Sequence, residues 1–273
     1  TPRKESDAPH IVSGIYRGFT TGAPLTVEFL NENTRSGDYA SLASHPRPSH
    51  ADWVAMKKFH GYNDPRGGGH FSGRITLALV TAGVVAKKIL GSGVTFHTDI
   101  IEIGGSADKE RFTDIIESAR MDRDSVGGVV ECRAEGVAAG LGEPFFDSAE
   151  SLMAHLLFSV PAVKGVEFGS GFAAARMRGS EHNDPIIDAE GHTSTNHAGG
   201  IVGGITNGNA IVVRAAVKPT ASISREQLSF NCASGQVDSL VIKGRHDVCI
   251  TLRAAVIVES AVAIALADLT LRA

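Results

Sequence analysis

The sequence predicts an α+β fold organised as one domain over 1–273. Three observations lead there. Runs with strand character and runs with helical period alternate irregularly, without the βαβ spacing of a doubly wound sheet. No linker, low-complexity segment or short-period repeat divides the chain. Its 273 residues are enough to bury a sizeable core.

The elements follow in order. Residues 10–16 and 24–31 read as two strands joined at Thr20-Thr21-Gly22. A polar, turn-rich stretch leads to a short helix over 51–59, with Asp52 suited to its first turn. A long helix is expected over 71–90, stopped by Gly91 and Gly93. Residues 94–103 make a strand, 109–121 an amphipathic helix and 126–137 a strand. Asp147 and Glu150 mark a helix start that continues through Leu157. Residues 163–168, 211–217 and 237–242 read as strands, and 253–269 as mostly helix. Between them, 179–208 is a polar, glycine-rich passage too long for an idle connection.

Glycine is abundant, 31 residues, and aromatics make up only 6%. That balance suggests ligand-cradling loops more than a bulky core. The formal net charge of -4 points to neither a nucleic-acid nor a membrane partner. The most apolar stretch, Leu252 to Leu269, carries Arg253, Glu259 and Asp268 and does not read as a membrane span. The three cysteines have no paired spacing and no zinc pattern, which favours a reducing, cytoplasmic setting and no metal. The opening Thr1-Pro2-Arg3-Lys4-Glu5 reads as a start partway into a longer protein.

Several segments carry chemistry. Arg66 to Arg74 sets three glycines and Ser72 between arginines at a helix start, an arrangement that grips an anion such as a phosphate. His50 stands between Arg47 and Asp52 at a loop-to-helix junction, where a proton can be given or taken. Lys218-Pro219-Thr220-Ala221-Ser222 follows a strand and is either a phosphate grip or a strand-ending turn. Gly244-Arg245-His246-Asp247 brings a cation, an imidazole and a carboxylate together. Gly169-Ser170-Gly171-Phe172-Ala173-Ala174 matches a dinucleotide fingerprint, with an apparent helix to about Arg178 and Asp188 beyond. It supports a nucleotide-binding oxidoreductase as a competing reading.

Taken together, the motifs resemble the chorismate synthase family over nearly the whole chain. The carriers are RPSHAD at 47–52, RGGGHFSGR at 66–74, GLGEPFFD at 140–147, AVKGVEFGSGF at 162–172, MRGSEHND at 177–184, TNHAGGIVGGITNG at 195–208, KPTASIS at 218–224 and GRHDVC at 244–249. The resemblance implies a β-α-β sandwich, a homotetramer, and the last step of the shikimate route. In that step 5-enolpyruvylshikimate 3-phosphate loses phosphate and a ring hydrogen to give chorismate, with reduced FMN and no net redox change. NADPH is implied only if the protein reduces its own flavin.

By the same resemblance, His50 is a catalytic histidine that protonates the reduced flavin. Asp247 is the carboxylate that acts in removing the ring proton. Flavin contacts fall on His70, Phe71, Ser72, Pro161, Ala162, Gly203, Lys218, Pro219, Thr220, Ala221, Ser222 and Arg245. Substrate contacts fall on Ser72, Arg74 and Arg245. Ser49 stands where the family has glycine, and His70 and Phe71 where it has Arg and Ser. A leading segment containing Gly-Glu-Ser-His-Gly does not appear in the sequence. The expectation is therefore an N-terminally truncated form, with a catalytically impaired FMN- or phosphate-binding remnant as the alternative to an active lyase.

Overall fold

A computed structural model of the chain describes residues 6–30, 42, 44–64, 70–244 and 246–273. The elements in chain order are β1 (His10–Ser13), β2 (Ile15–Tyr16), β3 (Phe19–Thr20), β4 (Thr26–Glu28), α1 (Asp52–Lys58), α2 (Thr76–Leu90), β5 (Thr95–Ile103), α3 (Phe112–Met121), β6 (Gly128–Glu135), α4 (Ala149–Ser159), β7 (Val163–Phe168), α5 (Gly179–His182), β8 (Ile201–Val202), β9 (Ile205–Thr206), β10 (Ile211–Val217), β11 (Gln227–Asn231), β12 (Gln236–Leu240) and α6 (Thr251–Arg272). They fall into two compact units. One is Thr1–Gly69 with Gln227–His246; the other is His70–Glu226 with Asp247–Ala273.

In the first unit β1 pairs with β4 and β2 with β3, all antiparallel. The strand expected over 10–16 is split at Gly14. Its φ of +89° suits glycine, and a Cβ there would lie 2.8 Å from the Pro24 carbonyl. The tight turn accordingly falls at Arg17-Gly18, not at Thr20–Gly22. α1 has Asp52 in its first turn and Lys57 and Lys58 in its last, the order the helix dipole favours. β11 and β12 form a hairpin. β11 is missed from sequence because its alternation, Leu228 and Phe230 between polar residues, runs for only five residues.

The second unit is built on one sheet, in the order β5-β6-β10-β7, with every neighbouring pair antiparallel. Alternate residues of β6 and β10 point into the core: Val130, Cys132 and Ala134, with Val213 and Ala215. Met153 and Leu157 of α4 and Val258, Val262 and Leu266 of α6 close on them. Each buried Val, Leu or Met side chain among them contributes about 1.5–3 kcal/mol by leaving water. α6 is long and apolar enough to cross a bilayer by length and composition, yet eleven of its residues are buried against the rest of the unit. On the opposite side of β10, Arg214 Nε donates to Glu131 at 2.7 Å and Nη1 to Glu167 at 3.2 Å, tying three strands together.

α2 and α6 run in the same direction. Gly83 packs on Ser260 midway, and Ala86 and Leu90 meet Ala263 and Ala267 toward the C-terminal ends. Both helices therefore begin at one end of the sheet. The start of the expected 71–90 helix is a single 3₁₀ turn, Gly73–Ile75, capped by Ser72.

The passage 179–208 contains three short elements that sequence reading left out. α5 is one short turn. β8 and β9 form a hairpin through Gly203 (φ +63°) and Gly204 (φ +90°), as a two-residue turn with both residues left-handed requires. The Gly-Gly pair between Ile-Val and Ile-Thr was the available signal.

The dinucleotide reading of 169–174 fails here. The residues after Gly169 form 3₁₀ turns over Gly171–Arg176 rather than an α-helix, and β7 pairs antiparallel with β10. A Cβ at Gly169 would lie 2.5 Å from Gly199 N, and one at Gly171 would run into the Glu167 carboxylate. Backbone and a negative charge fill the space a pyrophosphate would need.

Candidate active site

In the first unit His50 sits in a tight polar cluster. Arg47 donates to Asp52 three times: from its backbone N at 3.0 Å, from Nε at 2.7 Å and from Nη2 at 2.7 Å. His50 Nδ1 lies 2.7 Å from Asp52 Oδ1 and 2.9 Å from Arg47 Nη2. The Arg47 side chain is 5% exposed. Burial alone would raise the Asp52 pKa; the hydrogen bonds from Arg47 and His50 outweigh it and hold the carboxyl well below the ordinary carboxylate range. The cluster is anchored on β11, where Ser229 Oγ donates to the Pro46 carbonyl at 2.6 Å and His45 Nε2 lies 3.0 Å from the Ser229 carbonyl. Ser49 takes a φ of +55°, which bends the chain so that His50 meets Asp52.

In the second unit, separate segments meet at the end of the sheet where β10 finishes. Lys218 N donates to the Ala162 carbonyl at 2.9 Å. Ser125 Oγ donates to the Thr220 carbonyl at 2.7 Å. Val126 N donates to the Val248 carbonyl at 2.9 Å, one residue beyond Asp247. Gly127 leaves room for Pro219, whose ring nitrogen would be 3.1 Å from a Cβ there. Asp247 Oδ2 lies 3.6 Å from Arg253 Nε on the first turns of α6. Both helix N-termini open toward this end, so their backbone N–H groups favour an anion. Ser72 accepts from Arg74 N at 3.3 Å just before α2, with His70 and Phe71 beside it.

Three observations give this end the character of a binding site. Thr220 Oγ1 is buried and has no hydrogen-bond partner among the described residues. Burial, with Lys164 nearby, lowers the Lys218 pKa. Ala162 is held at φ +76°, unusual for alanine.

Pro161, Ala162, Lys218 to Ser222 and Asp247 are thus joined through these contacts, and Ser72 and Arg74 stand at the parallel helix start. Gly203 is placed elsewhere. Its hairpin attaches beside α4, where Ala149 N donates to the Gly204 carbonyl, near the start of β10. β10 is seven residues long, so Lys218 lies about 20 Å further along the strand. Arg245 and Gly67 to Gly69 lie outside the described residues. Sequence reasoning missed Lys164, Ser125 and Gly127, because nothing along the chain marks a strand's first residues as neighbours of a distant loop. No group of three or more potential metal ligands occurs among the described residues.

The chorismate synthase family profile matches residues 1–271. The chain belongs to the chorismate synthase family. A chorismate synthase from Chitinophaga pinensis is 59% identical over 271 residues, covering 99% of this chain and 81% of that protein. One from Korarchaeum cryptofilum is 46% identical over 297 residues, covering 99% of this chain and 82% of its own. A crystal structure of chorismate synthase superimposes with a TM-score of 0.72 at 28% identity, covering 97% of this chain and 77% of that one. The α+β fold of the chorismate synthase type is thereby established. The chain is a chorismate synthase-type lyase: it eliminates phosphate from 5-enolpyruvylshikimate 3-phosphate to give chorismate, in aromatic biosynthesis. The alternative of an impaired remnant finds no support, since the likeness to chorismate synthases runs along the whole chain at high identity.

Proposed function

We propose that the elimination is carried out with His50 and Asp247 as the proton-handling residues and with reduced FMN as cofactor. The observation that carries this reading is the joining of Ala162, Lys218, Thr220 and Asp247 at one sheet end, with a buried Thr220 hydroxyl among them that has no partner among the described residues. A buried hydroxyl without a partner costs about 1–3 kcal/mol, a cost that a phosphate or ribityl oxygen would remove. The residues therefore fit the cofactor. Lys218, Thr220 and Ser222 would hold its phosphorylated side chain, and His70, Phe71, Ser72, Pro161, Ala162, Pro219, Ala221 and Arg245 would contact it, whereas Gly203 of the same chain lies too far along β10 to do so. When bound, reduced FMN supplies electron density to the substrate transiently, without net redox.

The rest is done by side chains. Ser72, Arg74 and Arg245 bind the substrate's anionic groups, as charge-assisted hydrogen bonds favour. Asp247 receives the ring proton, His50 holds an exchangeable proton on its imidazole, and phosphate leaves with the bonding pair. We read both compact units as parts of one catalytic domain, because one family profile spans both. The assembly is a cytoplasmic homotetramer, and NADPH is needed only if the protein reduces its own flavin.

The test is anaerobic turnover with photoreduced FMN, read as phosphate release. His50→Ala and Asp247→Ala should each slow turnover by about 10²–10⁴-fold while FMN still binds. A parental rate in either variant removes that residue's role.

A further inference from the structure

We infer that Asp52 and Arg47 lock the His50 ring in the tautomer with its hydrogen on Nδ1, leaving Nε2 as the single atom that exchanges a proton. This rests on the reading of His50 as the proton-handling histidine.

The argument is one of donors and acceptors. His50 Nδ1 has two close neighbours, Asp52 Oδ1 at 2.7 Å and Arg47 Nη2 at 2.9 Å. A guanidinium only donates and an ionised carboxylate only accepts. A bare Nδ1 would accept from Arg47 and set its lone pair against the Asp52 oxygen. A protonated Nδ1 donates to that oxygen and leaves no clash, because Arg47 Nη2 already donates to the same Oδ1 at 2.7 Å. The short distance between Nη2 and Nδ1 then follows from two donors sharing one acceptor. Arg47 also holds Oδ2 through Nε and its backbone N, so the carboxylate cannot turn away.

The consequence is directional. Neutral His50 presents a lone pair at Nε2, and protonated His50 presents an N–H at the same atom. The ring gives and takes a proton at one place without rotating, as in other histidines oriented by a carboxylate. Asp52 and Arg47 are positioning residues here, acting through His50.

The experiment is magic-angle-spinning ¹⁵N spectroscopy of the full chain with ring-labelled histidine, near neutral pH. The chain holds 11 histidines, so the difference against His50→Gln isolates His50. The expected signal is an N–H-type Nδ1 and a bare Nε2; the reverse pattern overturns the inference. In Asp52→Asn the carboxamide can present either a donor or an acceptor. The pattern should become mixed or reversed, and kcat should fall about 10–100-fold with substrate KM and FMN affinity unchanged. Asp52→Glu should recover part of the rate. A parental kcat in Asp52→Asn would overturn the positioning role. Should Asp52→Asn fail to fold, the parental spectrum alone still decides the tautomer. If His50→Ala turned over at the parental rate while His50 showed the expected spectrum, the catalytic reading would fall and the tautomer would stand.

Discussion

Gly83 of α2 packs directly against Ser260 of the parallel helix α6; a Cβ at Gly83 would lie 2.6 Å from Ser260 Oγ. No side chain fits between them. Gly83→Val should destabilise the fold by about 1–3 kcal/mol through overpacking, read as a lower urea midpoint. Gly83→Ala combined with Ser260→Gly should recover much of what Gly83→Ala loses. Additive losses would show that the two positions do not share this contact.

Ser49 has a left-handed backbone, φ +55°, immediately before His50. Glycine adopts that conformation without the Cβ penalty. Ser49→Gly should therefore raise stability by about 1 kcal/mol and leave turnover near the parental value. A lower unfolding midpoint in Ser49→Gly would contradict the strain argument.

The depressed pKa of Asp52 links its ion pairs to pH. The folded carboxyl titrates below its ordinary value of 3.8. The stability it contributes is thus fully present above that value and is lost as pH falls toward the folded pKa. Urea midpoints from pH 5 down to pH 3 should fall more steeply in the parent than in Asp52→Asn. Equal slopes would mean the Arg47 and His50 contacts do not favour the ionised form.

Asp184 holds the loop that precedes β8. It accepts from Thr195 Oγ1 at 2.7 Å, His197 N at 2.8 Å and Ala198 N at 2.9 Å. Burial raises its pKa, but the amides of Ala198 and His197 and the Thr195 hydroxyl bring it net below the ordinary value. Asp184→Ala leaves those donors without their acceptor and should cost about 2 kcal/mol. Amide exchange at His197 and Ala198 should accelerate, while the β6 amides stay protected. Unchanged exchange at both positions would show that the carboxylate does not order the loop.

The cysteines should differ sharply in reactivity. Cys232 is exposed, whereas Cys132 and Cys249 are buried. Burial pushes the Cys132 thiol up to about 11, and the thiolate is the reactive form. A disulfide reagent at pH 8 should modify Cys232 rapidly and Cys132 only on unfolding. Rapid native modification of Cys132 would contradict its packing on the sheet.

Most helices and sheet strands were legible because their apolar periods match what they bury. Val130, Cys132 and Ala134 alternate into the core as period two predicts, and the long apolar run of α6 matches the eleven of its residues that are buried. The errors arose where short-range chemistry wins over pattern. Gly14 breaks a run that looks like one strand, and β8 and β9 are two-residue strands too short to show a period.

Read alone, the amino-acid order singles out the residues proposed for the chemistry: the histidine between Arg47 and Asp52, the lysine and hydroxyls after β10, and the carboxylate of Asp247. It also settles the family, because the order and spacing of eight motifs form a pattern that chance does not reproduce. Only the packed chain decides which of these meet. Ala162 reaches Lys218 because β7 and β10 are antiparallel neighbours, and Asp247 shares an end with them because α6 starts over β6. Those contacts join residues far apart in sequence, and hydrogen-bonded strand register, not local preference, sets their distance.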